Sequence, residues 1–169
     1  MGLSGKVAKI SDWQYIGSLL QSYLRELSEL ENITLTPSGE YEYLPCYWTE
    51  NTRGPYIFYF SGKVVGFAFV RKEQEKYIMA EFTVLGEYRG YRFGLVFADE
   101  ILQKHPGKWN IEYDVQNTNA NHFWNRLVVS VAGNSYTKGK LPENREYLEL
   151  RLRENNYFPI RLDLVVVLS

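Results

Sequence analysis

Residues Tyr77 to Leu85 are apolar through most of their length and run directly into Gly86-Glu87-Tyr88-Arg89-Gly90-Tyr91-Arg92-Phe93-Gly94, after which a helical pattern begins at once. A near-continuous apolar run of this length predicts a central strand covered on both faces. A strand that feeds a helix through a short glycine-bearing loop restricts the chain to folds in which helices pack on a sheet. The loop also has a chemical consequence. The first N–H groups of a helix lack intrahelical partners, and the helix dipole adds positive potential there. Such an end accepts phosphate or pyrophosphate. Gly90 and Gly94 permit close backbone approach, and Arg89 and Arg92 add charge. The same pattern also describes an ordinary strand–helix turn with two solvated arginines.

The flanking segments extend this core. Leu3 to Ile10 alternates weakly as a first strand, and Ser11 or Asp12 is placed to cap the helix that follows. Ile16, Leu19, Leu20, Tyr23, Leu24, Leu27 and Leu30 fall at helical spacing, so this helix is expected to end near Glu31-Asn32. Ile33 to Arg53 reads as irregular, with a short helix near Leu44–Trp48. Tyr56–Phe60 and Val64–Arg71, joined at Ser61-Gly62-Lys63, read as a β-hairpin. Beyond the central strand, a helix over Phe93–His105 stops at Pro106-Gly107. Trp109–Val115 follows as a strand, and Asn117 or Thr118 caps a helix that runs to Ala132 and ends at Gly133. Asn134–Lys140, Tyr147–Arg153 and Arg161–Leu168 have strand character. The prediction is a mixed α/β layout, with antiparallel hairpins first and one right-handed parallel crossover within Tyr77–Ala132.

Composition narrows the function classes. A chain of 169 residues predicts one domain spanning 1–169. With 19 basic and 20 acidic residues its net charge is -1, which argues against nucleic-acid binding and a polybasic membrane patch. Cys46 is the single cysteine and there are two histidines, so no metal-ligand spacing is present and no metal is expected. No apolar run approaches the roughly 20 residues of a membrane span, and the N-terminus lacks the apolar core of a signal peptide. A soluble, cytoplasmic protein is expected. Between Glu26 and Glu50 lie six glutamates and no Lys or Arg, a surface that would favour a cationic partner or an amine, or simply a solvated face.

At this point the sequence resembles the GNAT superfamily of N-acetyltransferases. Its cofactor motif, Arg/Gln-x-x-Gly-x-Gly/Ala after a strand, is matched at Arg89 and Gly94, with Arg92 in place of the middle glycine. That arginine needs only an ordinary backbone conformation for the loop to bind through N–H groups. A second element, Asn-x-x-Ala followed by aromatics, is matched by Asn117-Thr118-Asn119-Ala120 and Phe123-Trp124. Within the superfamily the chain is similar to a bacterial subgroup marked by Tyr47-Trp48, Pro55-Tyr56, Gly66-Phe67, Glu81-Phe82 and Phe123-Trp124. The resemblance covers about residues 5–140. It implies a GNAT-like fold, a mixed sheet of about six to seven strands flanked by helices. It further implies acetyl-CoA as co-substrate, bound where the central strand parts from its parallel neighbour. Pyrophosphate would sit on Arg89, Gly90, Tyr91, Arg92, Phe93 and Gly94. Pantetheine would pair with Phe82, Thr83 and Val84, near Asn117, Asn119, Phe123 and Trp124.

Several residues are then candidates for chemistry. Glu81, in an apolar strand facing the gap, is a candidate general base whose pKa burial would raise. It is equally a structural carboxylate. Tyr136 is a candidate general acid, with water as the alternative. Trp124 stands where many members have a tyrosine, and its indole N–H does not titrate. Tyr41, Tyr43, Tyr47, Trp48 and Arg53 lie where an acceptor pocket is expected, for a small-molecule or peptide amine. His105, at a helix end, would favour the dipole, and Cys46 lacks a nearby base. The segment after Glu146 is outside the resemblance. Its apolar end would dock on the sheet edge or form a homodimer. The leading expectation is an acetyl-CoA-dependent N-acetyltransferase. The alternative is a catalytically inactive domain of the same fold used as a binding module.

Overall fold

A computed structural model of the chain describes residues 2–30 and 44–154. The elements are β1 (Leu3–Val7), α1 (Trp13–Ser28), α2 (Cys46–Thr49), β2 (Arg53–Phe60), β3 (Lys63–Glu73), β4 (Lys76–Val84), α3 (Phe93–Lys104), β5 (Gly107–Asp114), α4 (Thr118–Ala132), β6 (Tyr136–Leu141) and β7 (Arg145–Leu152). The strands form one seven-stranded sheet in the order β1-β2-β3-β4-β5-β7-β6. Every neighbouring pair is antiparallel except β4 with β5, which is the expected parallel crossover.

Two apolar layers cover the sheet. Ile16 and Leu20, one turn apart on α1, pack with Leu44 and Tyr47 against Ile57, Phe67 and Phe69. The opposite face is larger. There α3 and α4 cover Phe58, Val65, Ala68, Met79, Trp109, Ile111 and Leu148 with Phe97, Ile101, Leu102, Leu127 and Val128. The β2–β3 hairpin closes through Ser61 and Gly62, both at positive φ (49° and 79°), the backbone that matches strand twist in a tight turn. Gly66 sits opposite β4 so closely that a Cβ there would meet the Thr83 carbonyl oxygen at 2.3 Å.

Several expectations need correction. The first strand stops at Val7, and α1 ends at Ser28 rather than near Glu31-Asn32. Asp12 does not cap α1 through its side chain, because its Oδ2 accepts the Lys9 N–H at 2.8 Å instead. Arg53 belongs to β2 rather than to an irregular segment. His105 is half-buried and bonded to the Tyr56 hydroxyl at 2.6 Å, and desolvation pushes its pKa down, so it brings no charge to the end of α3. Tyr41, Tyr43 and the Arg161–Leu168 segment lie outside the described residues.

Candidate active site

The site begins with a break in pairing. β4 and β5 pair only through Lys76–Ile78 and Lys108–Asn110. Beyond those three pairs the two strands part. The register between β3 and β4 jumps from Phe69 opposite Glu81 to Val70 opposite Met79, which leaves Ala80 as an extra residue. A bulge bends the strand that carries it, and this one falls where β4 leaves β5. The carboxyl ends of parallel strands, where neighbours diverge, are where open sheets bind ligands.

At the head of this gap stands the N-terminus of α3. No side chain caps it, whereas at α4 the Asn117 Oδ1 accepts the Ala120 N–H at 3.1 Å. At the α3 end the Leu95 N–H donates to the Arg92 carbonyl at 3.1 Å, and no side-chain oxygen takes the N–H groups before it. Gly94 is held against α4, since a Cβ would lie 3.0 Å from the Phe123 ring. Gly90 has φ +88°. Arg92, however, has φ 64° and ψ 8°, the left-handed region. The expected ordinary backbone at Arg92 is thus corrected: the position demands what glycine supplies freely, and arginine holds it against a steric cost.

Arg89 lies between elements. Its Nε donates to the Val84 carbonyl at 2.7 Å, and its two terminal nitrogens grip the Glu26 carboxylate, one of them at 3.1 Å. The Arg89 guanidinium holds the Glu26 carboxyl below the usual range. Tyr91 is exposed and stacks on buried Phe93 at 5.6 Å.

The walls of the gap differ. On the α3/α4 face, Phe82 meets Phe123 at 5.4 Å and Trp124 at 5.3 Å. Trp124 is buried and Asn119 is exposed. On the α1/α2 face, Glu81 pairs with Phe69, on which Tyr47 stacks at 4.5 Å. Thr83 is buried behind it, opposite Phe67. Tyr47 is 1% exposed and its hydroxyl has no hydrogen-bond partner. Burial pushes that phenol's pKa up against the pull of Arg71 and Arg53, and Glu81 adds to the rise. Arg53 lies over the Tyr47 ring at 5.2 Å. Trp48 donates its indole N–H to the Ala8 carbonyl at 3.2 Å and stacks on Trp13. Cys46 sits beside Glu50, whose hydrogen bond raises its thiol pKa.

The two catalytic candidates are not brought together. Tyr136 lies on β6, the sheet edge, and packs with the α3/α4-face core. Glu81 is across β7, β5 and the gap, on the other face. Three contributors were not singled out in the sequence: Glu26, the Ala80 bulge and Arg71. Only Glu26 had a signal, as the first of the six glutamates expected to favour a cationic partner. Among the described residues no group of His, Cys, Asp and Glu can hold a metal ion, and no helix is long and apolar enough to cross a membrane.

Solved structures match this architecture along most of its length. A Thermus thermophilus acetyltransferase superposes with TM-score 0.69 at 11% identity, covering 90% of this chain and 98% of its own. The Vibrio cholerae spermidine N-acetyltransferase, solved with CoA and spermine, gives 0.66 at 10% identity over 89% of this chain and 95% of its own. A GNAT-family protein from Bacteroides thetaiotaomicron gives 0.62 at 12% identity, over 88% and 86%. The fold is that of the GNAT acetyltransferases. No family model matches the chain, and no curated protein matches it by sequence. In this GNAT fold β4 parts from β5 after Ile78, and the uncapped end of α3 follows the carboxyl end of β4.

Proposed function

We propose that the chain transfers an acetyl group from acetyl-CoA to a primary amine by direct attack on the thioester. The observation that carries this reading is the parting of β4 from β5 after Ile78, headed by the uncapped α3 N-terminus. The Vibrio cholerae structure of the same fold, which holds CoA and spermine, supports it. The residues fit such a co-substrate. The first-turn N–H groups of α3 and the Gly90–Gly94 loop would take the pyrophosphate, and the parted edge of β4 at Phe82, Thr83 and Val84 would pair with the pantetheine amides. Acetyl-CoA supplies an activated acyl group on a stable thiolate leaving group.

The protein's part is alignment and proton handling. Glu81 would take the proton that the amine gives up as the C–N bond forms and the C–S bond breaks. A β4 backbone N–H would polarise the thioester carbonyl. Trp124 cannot protonate the thiolate and Tyr136 stands at the far edge, so water supplies that proton. A binding module without turnover is the second reading. The engagement of Arg89 by Glu26 and the left-handed Arg92 favour it.

Calorimetric titration with acetyl-CoA, followed by free-thiol release in the presence of amines, tests both. Micromolar binding with thiol release that Glu81→Gln lowers by about a hundredfold or more, with binding kept, is expected for the enzyme. Binding without release with any amine overturns the enzyme and leaves the module. No binding at millimolar acetyl-CoA overturns the cofactor assignment.

A further inference from the structure

The α1/α2 face carries a polar cluster that the cofactor does not need. Arg53 on β2 and Arg71 on β3 are direct cross-strand partners. Like charges placed opposite one another destabilise a sheet, so stability alone does not explain the pair. Near both guanidiniums and Glu81 lies the buried Tyr47 hydroxyl, which makes no hydrogen bond of good geometry with any of them. A buried hydroxyl left unpaired is a cost that native structures carry for a reason.

We propose that Arg53, Arg71 and Tyr47 form a carboxylate-binding subsite, so that the acceptor is an amino carboxylate with its amine at Glu81. The inference rests on the acetyltransferase reading and names its substrate class. Guanidinium forks match a carboxylate bidentately, as lysine does not. Their present partners are local and solvated: Glu50, 46% exposed, bonds Arg53 at 2.8 Å, and Glu73, 56% exposed, bonds Arg71 at 2.5 Å. Exposed pairs of this kind hold weakly, and a substrate carboxylate would replace them while accepting the Tyr47 hydroxyl proton in a hydrogen bond. The spacing suits a small acceptor. Glu81 pairs with Phe69, and Arg71 lies two residues further along β3, a step of about 7 Å along a strand.

The test measures free-thiol release by the full chain at saturating acetyl-CoA. Glycine, β-alanine and γ-aminobutyrate are compared with ethylamine, propylamine and butylamine, in which a methyl replaces the carboxylate, and with spermidine. The expected result is a kcat/KM about tenfold or more higher for an amino carboxylate than for its acid-free partner. Arg71→Gln and Arg53→Gln each raise KM for that acceptor by about tenfold with kcat and acetyl-CoA affinity kept, and Arg71→Lys does not restore it. Two variants guard against one that fails to fold. Equal or better turnover of the acid-free amines or spermidine overturns the inference and leaves the acetyltransferase standing. Acetyl-CoA binding with no amino carboxylate acetylated also overturns it. Failure to bind acetyl-CoA removes both.

Discussion

The two faces of the sheet are built on different terms. Under α3 and α4, Phe58 stacks on Phe97 at 4.2 Å, and the neighbouring core is largely apolar, with Asp99 on α3, Asp114 at the end of β5 and Asn117 at the start of α4 buried beside it. Under α1 and α2, the apolar patch is smaller, and its border carries Arg53, Arg71, Glu81 and the unpaired Tyr47 hydroxyl. The first face spends its residues on holding the sheet together. The second carries two arginines, each paired with a carboxylate of its own, and a buried phenol beside the gap. The contrast teaches that one strand, β4, separates an apolar side from a charged one, with Phe82 looking one way and Glu81 the other.

Three measurements break or sharpen that contrast. The largest effect belongs to the apolar face. Phe97→Ala removes a fully buried ring and is expected to lower the unfolding free energy by about 3–5 kcal/mol in denaturant titration. A loss under 1 kcal/mol, on the scale of an ordinary surface change, would mean this face is not the stabilising one. Next is Tyr47→Phe, which deletes an unsatisfied buried hydroxyl. It is expected to stabilise the free protein by about 1 kcal/mol while weakening acceptor binding. A destabilised protein with unchanged KM would make the hydroxyl structural. The smallest concerns Glu26, whose pKa Arg89 lowers. A depressed carboxylate pKa contributes stability above its unfolded value, 4.5, and loses it as pH falls through the folded one. Both side chains are about half exposed, so the increment is a few tenths of a kcal/mol. The melting temperatures of the wild type and Glu26→Gln should therefore converge in acid. A gap that does not narrow at all as the pH falls from neutral into acid would show that the pair is not what Glu26 contributes.

The skeleton was readable from the sequence because periodicity writes it. Apolar spacing at Ile16 and Leu20 marked α1, and the near-continuous apolar run to Leu85 marked β4 as central. The α3 terminus was readable because a strand, glycines and a helix adjoin in sequence. Pairing-dependent features were not. Arg71 gains its meaning from lying opposite Arg53, and the Ala80 bulge exists only as a mismatch between two strands. Tyr136 looked near the gap because it follows α4. Strand order put β7 between its own strand and β5, and order across a sheet is not encoded by local pattern. Arg92 misled because nothing in a side chain announces a left-handed backbone.

The three-pair contact between β4 and β5 has a mechanical meaning as well. It is the parallel seam joining two antiparallel half-sheets, β1 to β4 and β5 to β6. The molecule is a book with a short spine: little backbone hydrogen bonding joins the leaves, and the α3/α4-face core that spans both holds them together. A co-substrate whose amides pair along β4 would lengthen that spine. Binding would then act as a splint, and the free energy of association would include the work of stiffening the fold.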